Sequence, residues 1–193
     1  APTATSDTYS VNEDAALTVS NTWYNANWQY RETLSFNNAT RAENLVNFPV
    51  LVAIDTTKFG ASFYSQAQAA GQDLRFVDAN GTLLAHEIES WTPGGTSYVW
   101  VKVPQIDASS NSDSISMYWG NGSATDGQNS AVVWGNNYSG VWHLNGDAAD
   151  SSINANNGTL SGATATGGLF GQALNFNGSS DYVSIANAAS LQP

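Results

Sequence analysis

The residues best equipped for chemistry lie in His86-Glu87-Ile88-Glu89, with His143 the only other histidine of the chain. In an extended strand successive side chains alternate, so His86 and Ile88 share one face while Glu87 and Glu89 share the other. Two carboxylates on one face can hold a cation, or act as an acid/base pair if they are correctly spaced around a substrate. The commoner arrangement is a solvated strand face paired across the sheet with Arg75 or Lys102, and that is the expectation here. A zinc site needs three or four nitrogen and sulfur ligands, which two histidines and no cysteine cannot easily supply. A Ser-His-Asp triad is formally open, but no Gly-x-Ser-x-Gly nucleophile elbow occurs. His143 is therefore read as structural, and no catalytic residue is expected.

Oxygen ligands for calcium are better supplied. Asp78 and Asn80 in Asp78-Ala79-Asn80-Gly81, and Asp147 and Asp150 in the loop over 147–157, form oxygen-dense segments, although none reproduces the EF-hand spacing. Asp78–Gly81 also reads as a plain hairpin turn. Among the aromatic residues, Trp91 and Tyr98 flank a Thr-Pro-Gly-Gly-Thr turn where rings can be exposed. Trp134 lies in a Gly/Asn/Ser-rich connector. These three are the candidate ligand-binding residues, through stacking on sugar faces. Trp100 lies opposite Val99, Val101 and Val103 on a strand apolar on both sides, which predicts burial.

The elements that must position these groups are strands. Residues 73–121 read as LRFVD, LLAHEIESW, SYVWVKVP and ISMYWGN, separated by turn sequences. Upstream, RETLSF and LVNFPVLVAID read as two more strands, the second over Phe48 to Ile54 with Pro49 at its start. Phe59 to Ala70 is the one helix candidate, with Gly71 placed to cap its end. The fold class is all-β, an antiparallel, jelly-roll-like β-sandwich.

The chain has 193 residues, with 5 basic against 16 acidic residues and a net charge of −11. Such a surface repels phosphate backbones and anionic headgroups, so neither nucleic acid nor membrane is an expected partner. No run approaches the roughly 18 apolar residues of a membrane span. No secretory signal is legible in the first twenty or so residues, so the chain reads as an internal piece of a longer polypeptide.

Several ordered motifs carry a resemblance. Trp28 to Arg31, Asn47 to Val52, Asp73 to Gly81, His86 to Trp91, Val99 to Pro104 and Met117 to Asn121 resemble the bacterial extracellular family called domain of unknown function 2341. Tyr118-Trp119 stands where that family more often has two tyrosines. Val11 to Asp14 and Leu17 to Val19 resemble the opening of cadherin-like adhesin repeats. Val141 to Leu144, Asp150 to Thr159 and Gly171 to Val183 resemble the first strands of a laminin-G/concanavalin-A-like sandwich. The resulting division is a linker or partial cadherin-like repeat over 1–21, a sandwich over 22–121, a connector over 122–139 and a partial second sandwich over 140–193. Strand exchange with another molecule is one way to complete that last piece. Calcium at the junctions of such relatives implies Glu13, Asp14, Asp147 and Asp150 as ligands. The resemblance implies a non-catalytic adhesion or ligand-binding module of a bacterial surface or secreted protein, binding a glycan or other cell-surface ligand. A structural spacer of a surface fibre and an accessory module of a polysaccharide-degrading enzyme are the alternatives.

Overall fold

The computed structural model describes residues 23–192, so the strands expected within 1–21, with Glu13 and Asp14, lie outside the described residues. The architecture is all-β. A four-stranded antiparallel sheet is ordered β1 (Tyr30–Ser35), β7 (Ser114–Trp119), β3 (Arg75–Val77) and β4 (Leu83–Leu84). A three-stranded sheet is ordered β2 (Leu45–Ile54), β6 (Ser97–Ile106) and β5 (His86–Ser90). Alternation drives the packing of one on the other. Val99, Val101 and Val103 of β6 face inward with Val52 and Ile54 of β2, and meet Phe76, Ile115, Met117 and Trp119 of the larger sheet. Burial of these large apolar side chains is the main stabilising term.

Three sequence expectations change. LLAHEIESW is not one strand. Leu83–Leu84 pairs with β3 in the larger sheet, and after Ala85 the chain crosses to pair His86–Ser90 with β6. Pro49 sits within β2, opposite Lys102, rather than at its start. The position is tolerated because β2 is an edge strand, where a missing N–H breaks no ladder on its open side. The helix expected over Phe59 to Ala70 is two single turns, α1 (Thr56–Phe59) and α2 (Phe63–Gln66). Gly60, at φ 86°, separates them. Gly71 also takes a positive φ, of 71°, and the Trp91 ring lies 2.9 Å from where a Cβ would stand.

The stretch expected as a connector is laid along the open edge of β5. Asn129 N donates to the His86 carbonyl at 2.9 Å, and Ile88 N donates to Gln128 Oε1 at 2.6 Å. A helical turn, α3 (Ser130–Val133), then buries Val133 and Trp134. Beyond a loop, β8 (Gly158–Ser161) pairs with β11 (Tyr182–Ile185), and β9 (Thr164–Gly167) with β10 (Gln172–Asn175), as two antiparallel ribbons.

Candidate functional site

The chemistry converges on the outer face of the three-stranded sheet. β5 turns His86 into the core beside Phe76, with ring centroids 5.2 Å apart, and turns Glu87 and Glu89 outward. A register shift between Ile88 and Ser90 leaves Glu89 without a partner on β6, while Ser90 pairs with the outward-facing Tyr98. This bulge lets two successive residues, Glu89 and Ser90, serve the outer face, as bulges beside functional sites commonly do.

The loop following α3 covers that face. His143 Nδ1 lies 2.6 Å from Glu89 Oε2, and His143 Nε2 lies 3.2 Å from Glu87 Oε2. Trp134 Nε1 donates to Glu87 Oε2, and Ser151 Oγ donates to Glu87 Oε1. Trp100 Nε1 donates to Glu89 Oε2 at 2.7 Å. Asn145 Nδ2 donates to the Glu89 backbone carbonyl at 2.6 Å. Trp100 and Trp134 meet edge to face, 5.2 Å between centroids, and wall the cluster on one side. Glu87, Glu89, Asn145, Asp147 and Ser151 line an open cleft of about 260 Å³.

The electrostatics follow from these bonds. Burial alone would lower the pKa of His143, but its bonds to Glu87 and Glu89 raise it to about 9. Burial would raise that of Glu87, yet the donors His143, Ser151 and Trp134 hold it below the ordinary glutamate value. At neutral pH the cluster therefore carries a protonated imidazole between two carboxylates. On the other face His86 behaves oppositely. Burial, followed by the Arg75 charge, lowers its pKa to about 4.

The singled-out residues that fall within 23–192 each have a place. The solvated glutamate face paired with Arg75 or Lys102 is replaced by a covered one paired with His143. Trp91 is not an exposed platform. Its ring packs on Phe63 and Tyr64, with centroids 6.0 and 5.3 Å away, and its Nε1 is buried without a partner among the described residues. The turn it flanks is open, but the apolar ring gains more by closing over Gly71 and the core. Trp134 is 6% exposed and serves the glutamate cluster. Tyr98 is half-buried under Phe170, edge to face at 5.1 Å.

The four calcium candidates do not form a common site. Asp78 Oδ1 accepts from Asn80 N at 2.9 Å and Thr82 N at 2.8 Å, which is turn chemistry in the β3–β4 hairpin. Asp147 Oδ1 accepts from Ala149 N at 3.0 Å. Asp150 is saturated. Its Oδ1 accepts from Val141 N and Ser152 N, and its Oδ2 from Ser152 Oγ and Asn156 N, all within 2.9 Å. Burial would raise its pKa, but these donors hold it below the usual aspartate value. Among the described residues no group of three or more His, Cys, Asp or Glu is arranged to hold a metal ion.

Sequence reasoning missed Ser151, Asn145 and the union of Glu87 and Glu89 with His143. One signal was available, because Glu87 faces Trp100 directly in the ladder and shares its side of the sheet. The covering loop comes from more than 50 residues away, where periodicity carries no information.

Residues 70–157 match the family model described as Domain of unknown function (DUF2341). The matched stretch runs without a break from β3 through the covering loop, so it crosses the boundaries expected at 121/122 and 139/140 and takes in all the cleft-lining groups named above. No curated protein and no solved structure matches the chain.

Proposed function

We propose that the chain is a non-catalytic ligand-binding module of an extracellular or cell-surface protein, and that the ligand is a glycan held in the Glu87–Glu89–His143 cleft. The observation that carries this reading is that both carboxylates are engaged by protein donors. Glycosidic chemistry with two carboxyl groups needs one that retains its proton, through a raised pKa. Glu87 is shifted the other way, and Glu89 Oε2 is already engaged by His143 Nδ1 and Trp100 Nε1. What the cleft offers instead is a fixed set of acceptors and donors on a rigid sheet, suited to hydroxyl groups. The strongly acidic, cysteine-free composition fits an exported module and argues against nucleic acid as partner.

The test is binding of the chain to a glycan array, followed by titration of the hits against Asp147→Ala and Asn145→Ala. Loss of binding in both variants supports the cleft. Binding to no glycan at millimolar concentration overturns the reading. It would leave the second one, a spacer or self-associating element, which the exposure of Leu169 (82%) and Tyr182 (56%) near the ribbons favours.

A further inference from the structure

The outer face of the opposite, four-stranded sheet carries a second constellation. Arg31 of β1, Tyr118 of β7 and Arg75 of β3 stand in one cross-strand row. Arg75 is buried and committed. Its guanidinium donates to the carbonyls of Gln72, Leu74 and Thr125 and stacks on Trp28. Arg31 is neither. Its guanidinium carbon lies 5.1 Å from the Trp23 ring centroid and 6.0 Å from that of Tyr118, and it forms no ion pair among the described residues. In a chain with 16 acidic residues, a guanidinium held on aromatic rings that spends none of its donors among the described residues is a specific feature.

The ring beneath it is fixed. Trp23 meets Tyr118 edge-on at 5.5 Å, and its Nε1 donates to the Trp28 carbonyl at 2.6 Å, yet the residue remains 36% exposed. Beside this ledge lies a cleft of about 130 Å³ lined by Arg31, Asp78, Gly81, Ser116 and Tyr118. The two turn bonds of Asp78 use only Oδ1, so Oδ2 is left as an acceptor. A forked cationic donor, an anionic acceptor and hydroxyl groups therefore line one small cleft beside an aromatic face, room for the hydroxyl-bearing edge of a sugar.

We propose that this ledge is a second saccharide subsite, which takes a neutral hexose by its vicinal hydroxyls. Arg31 donates to two adjacent hydroxyl oxygens, Asp78 Oδ2 accepts from a hydroxyl, and the apolar C–H face of the ring stacks on Trp23. One charge of each sign in the cleft selects a neutral ligand, because a carboxylate-bearing sugar would face Asp78. The ligand class rests on the glycan reading above, whereas the location does not.

The experiment measures binding of neutral hexose oligosaccharides and of uronic-acid oligosaccharides to the 193-residue chain. Trp23→Ala, Arg31→Ala and Arg31→Lys are compared with Asp147→Ala in the first cleft, and thermal melts establish that each variant is folded. Expected is a tenfold or greater weakening of neutral-sugar binding in Trp23→Ala and Arg31→Ala, with Arg31→Lys also weakened because an ammonium lacks the fork. A component of binding unchanged by Asp147→Ala is expected as well. If Asp147→Ala abolishes all binding while the ledge variants keep it, the ledge is overturned and the glycan reading stands. If uronic-acid binding is the stronger and needs Arg31, the neutral-sugar assignment is overturned. If neither sugar class binds at millimolar concentration, both readings fall together.

Discussion

The two faces of β5 solve the same problem in opposite ways. On the inner face His86, 1% exposed, lies beside Phe76 with neither ring nitrogen hydrogen-bonded among the described residues. On the outer face His143 is gripped by two carboxylates. Burial alone would lower the pKa of both imidazoles. Burial, followed by the Arg75 charge, leaves His86 neutral down to about pH 4, while two carboxylate acceptors keep His143 charged up to about pH 9. Depth matters less than the partners that remain once water is gone. One strand, through its alternation and one bulge, thus forms the boundary between a dry apolar core and a charged, part-open cleft.

The comparison breaks most severely where the outer cluster loses a carboxylate. Glu87→Ala leaves protonated His143, Trp134 Nε1 and Ser151 Oγ without their shared acceptor. A loss of about 3 kcal/mol is expected from urea denaturation, since removing one member of a part-buried ion pair strands the others. A loss under about 1 kcal/mol would mean that water substitutes freely and that the outer face is simply surface.

The pH profile sharpens the contrast. The folded-state pKa of His143 is raised, so its contribution is complete below about pH 6.5 and is lost as pH rises through about 9. The folded-state pKa of His86 is lowered, so stability is complete with respect to it above about pH 6.5 and declines as pH falls through about 4. Both contributions are whole together only near pH 6.5. Denaturation midpoints should peak there, with flanks of up to about 1 kcal/mol per pH unit. His143→Leu should flatten the alkaline flank and His86→Leu the acid flank between about pH 5 and 6.5. A profile unchanged by both substitutions would show that neither environment is as described.

At fixed neutral pH the inner face should tolerate what the outer face does not. His86→Leu removes two unpartnered polar atoms from the core and keeps a similar volume. Stability should be unchanged or raised by up to about 1 kcal/mol. A loss above about 2 kcal/mol would place a hidden partner against the ring.

How much of this was legible follows the same division. The sandwich was readable because alternation in β6 and β7, and the turn at Asp78–Gly81, are local properties of the chain. The orientation of β5 was readable for the same reason, and it correctly separated His86 from Glu87 and Glu89. The crossing at Ala85 was not, because the Leu83–Ser90 pattern suits one long strand as well as two short ones, and only tertiary pairing distinguishes them. The bulge at Glu89 leaves no trace in composition. Trp91 misled because its flanking turn is polar and glycine-rich, while its ring closes back over Gly71. Asp150 carries a similar ambiguity, expected as a calcium ligand and seen to accept from the amides of Val141, Ser152 and Asn156. A carboxylate that organises backbone amides and one that organises a cation have the same sequence around them, and only the direction of the neighbouring N–H groups tells them apart.

The finest test of the comparison is Ser151→Ala. Trp134 and His143 share Oε2 of Glu87, whereas Ser151 alone serves Oε1, and Ser151 also lines the open cleft. When its hydroxyl is removed, the freed oxygen faces a space that water can enter, and a bridging water replaces the lost bond at little cost. The expected destabilisation is below about 1 kcal/mol, the ordinary net worth of one hydrogen bond with solvent available. A loss approaching that of Glu87→Ala would require the freed carboxylate oxygen to stay dry. The outer face would then be sealed like the inner one, and a cleft closed to water cannot admit a sugar hydroxyl in its place.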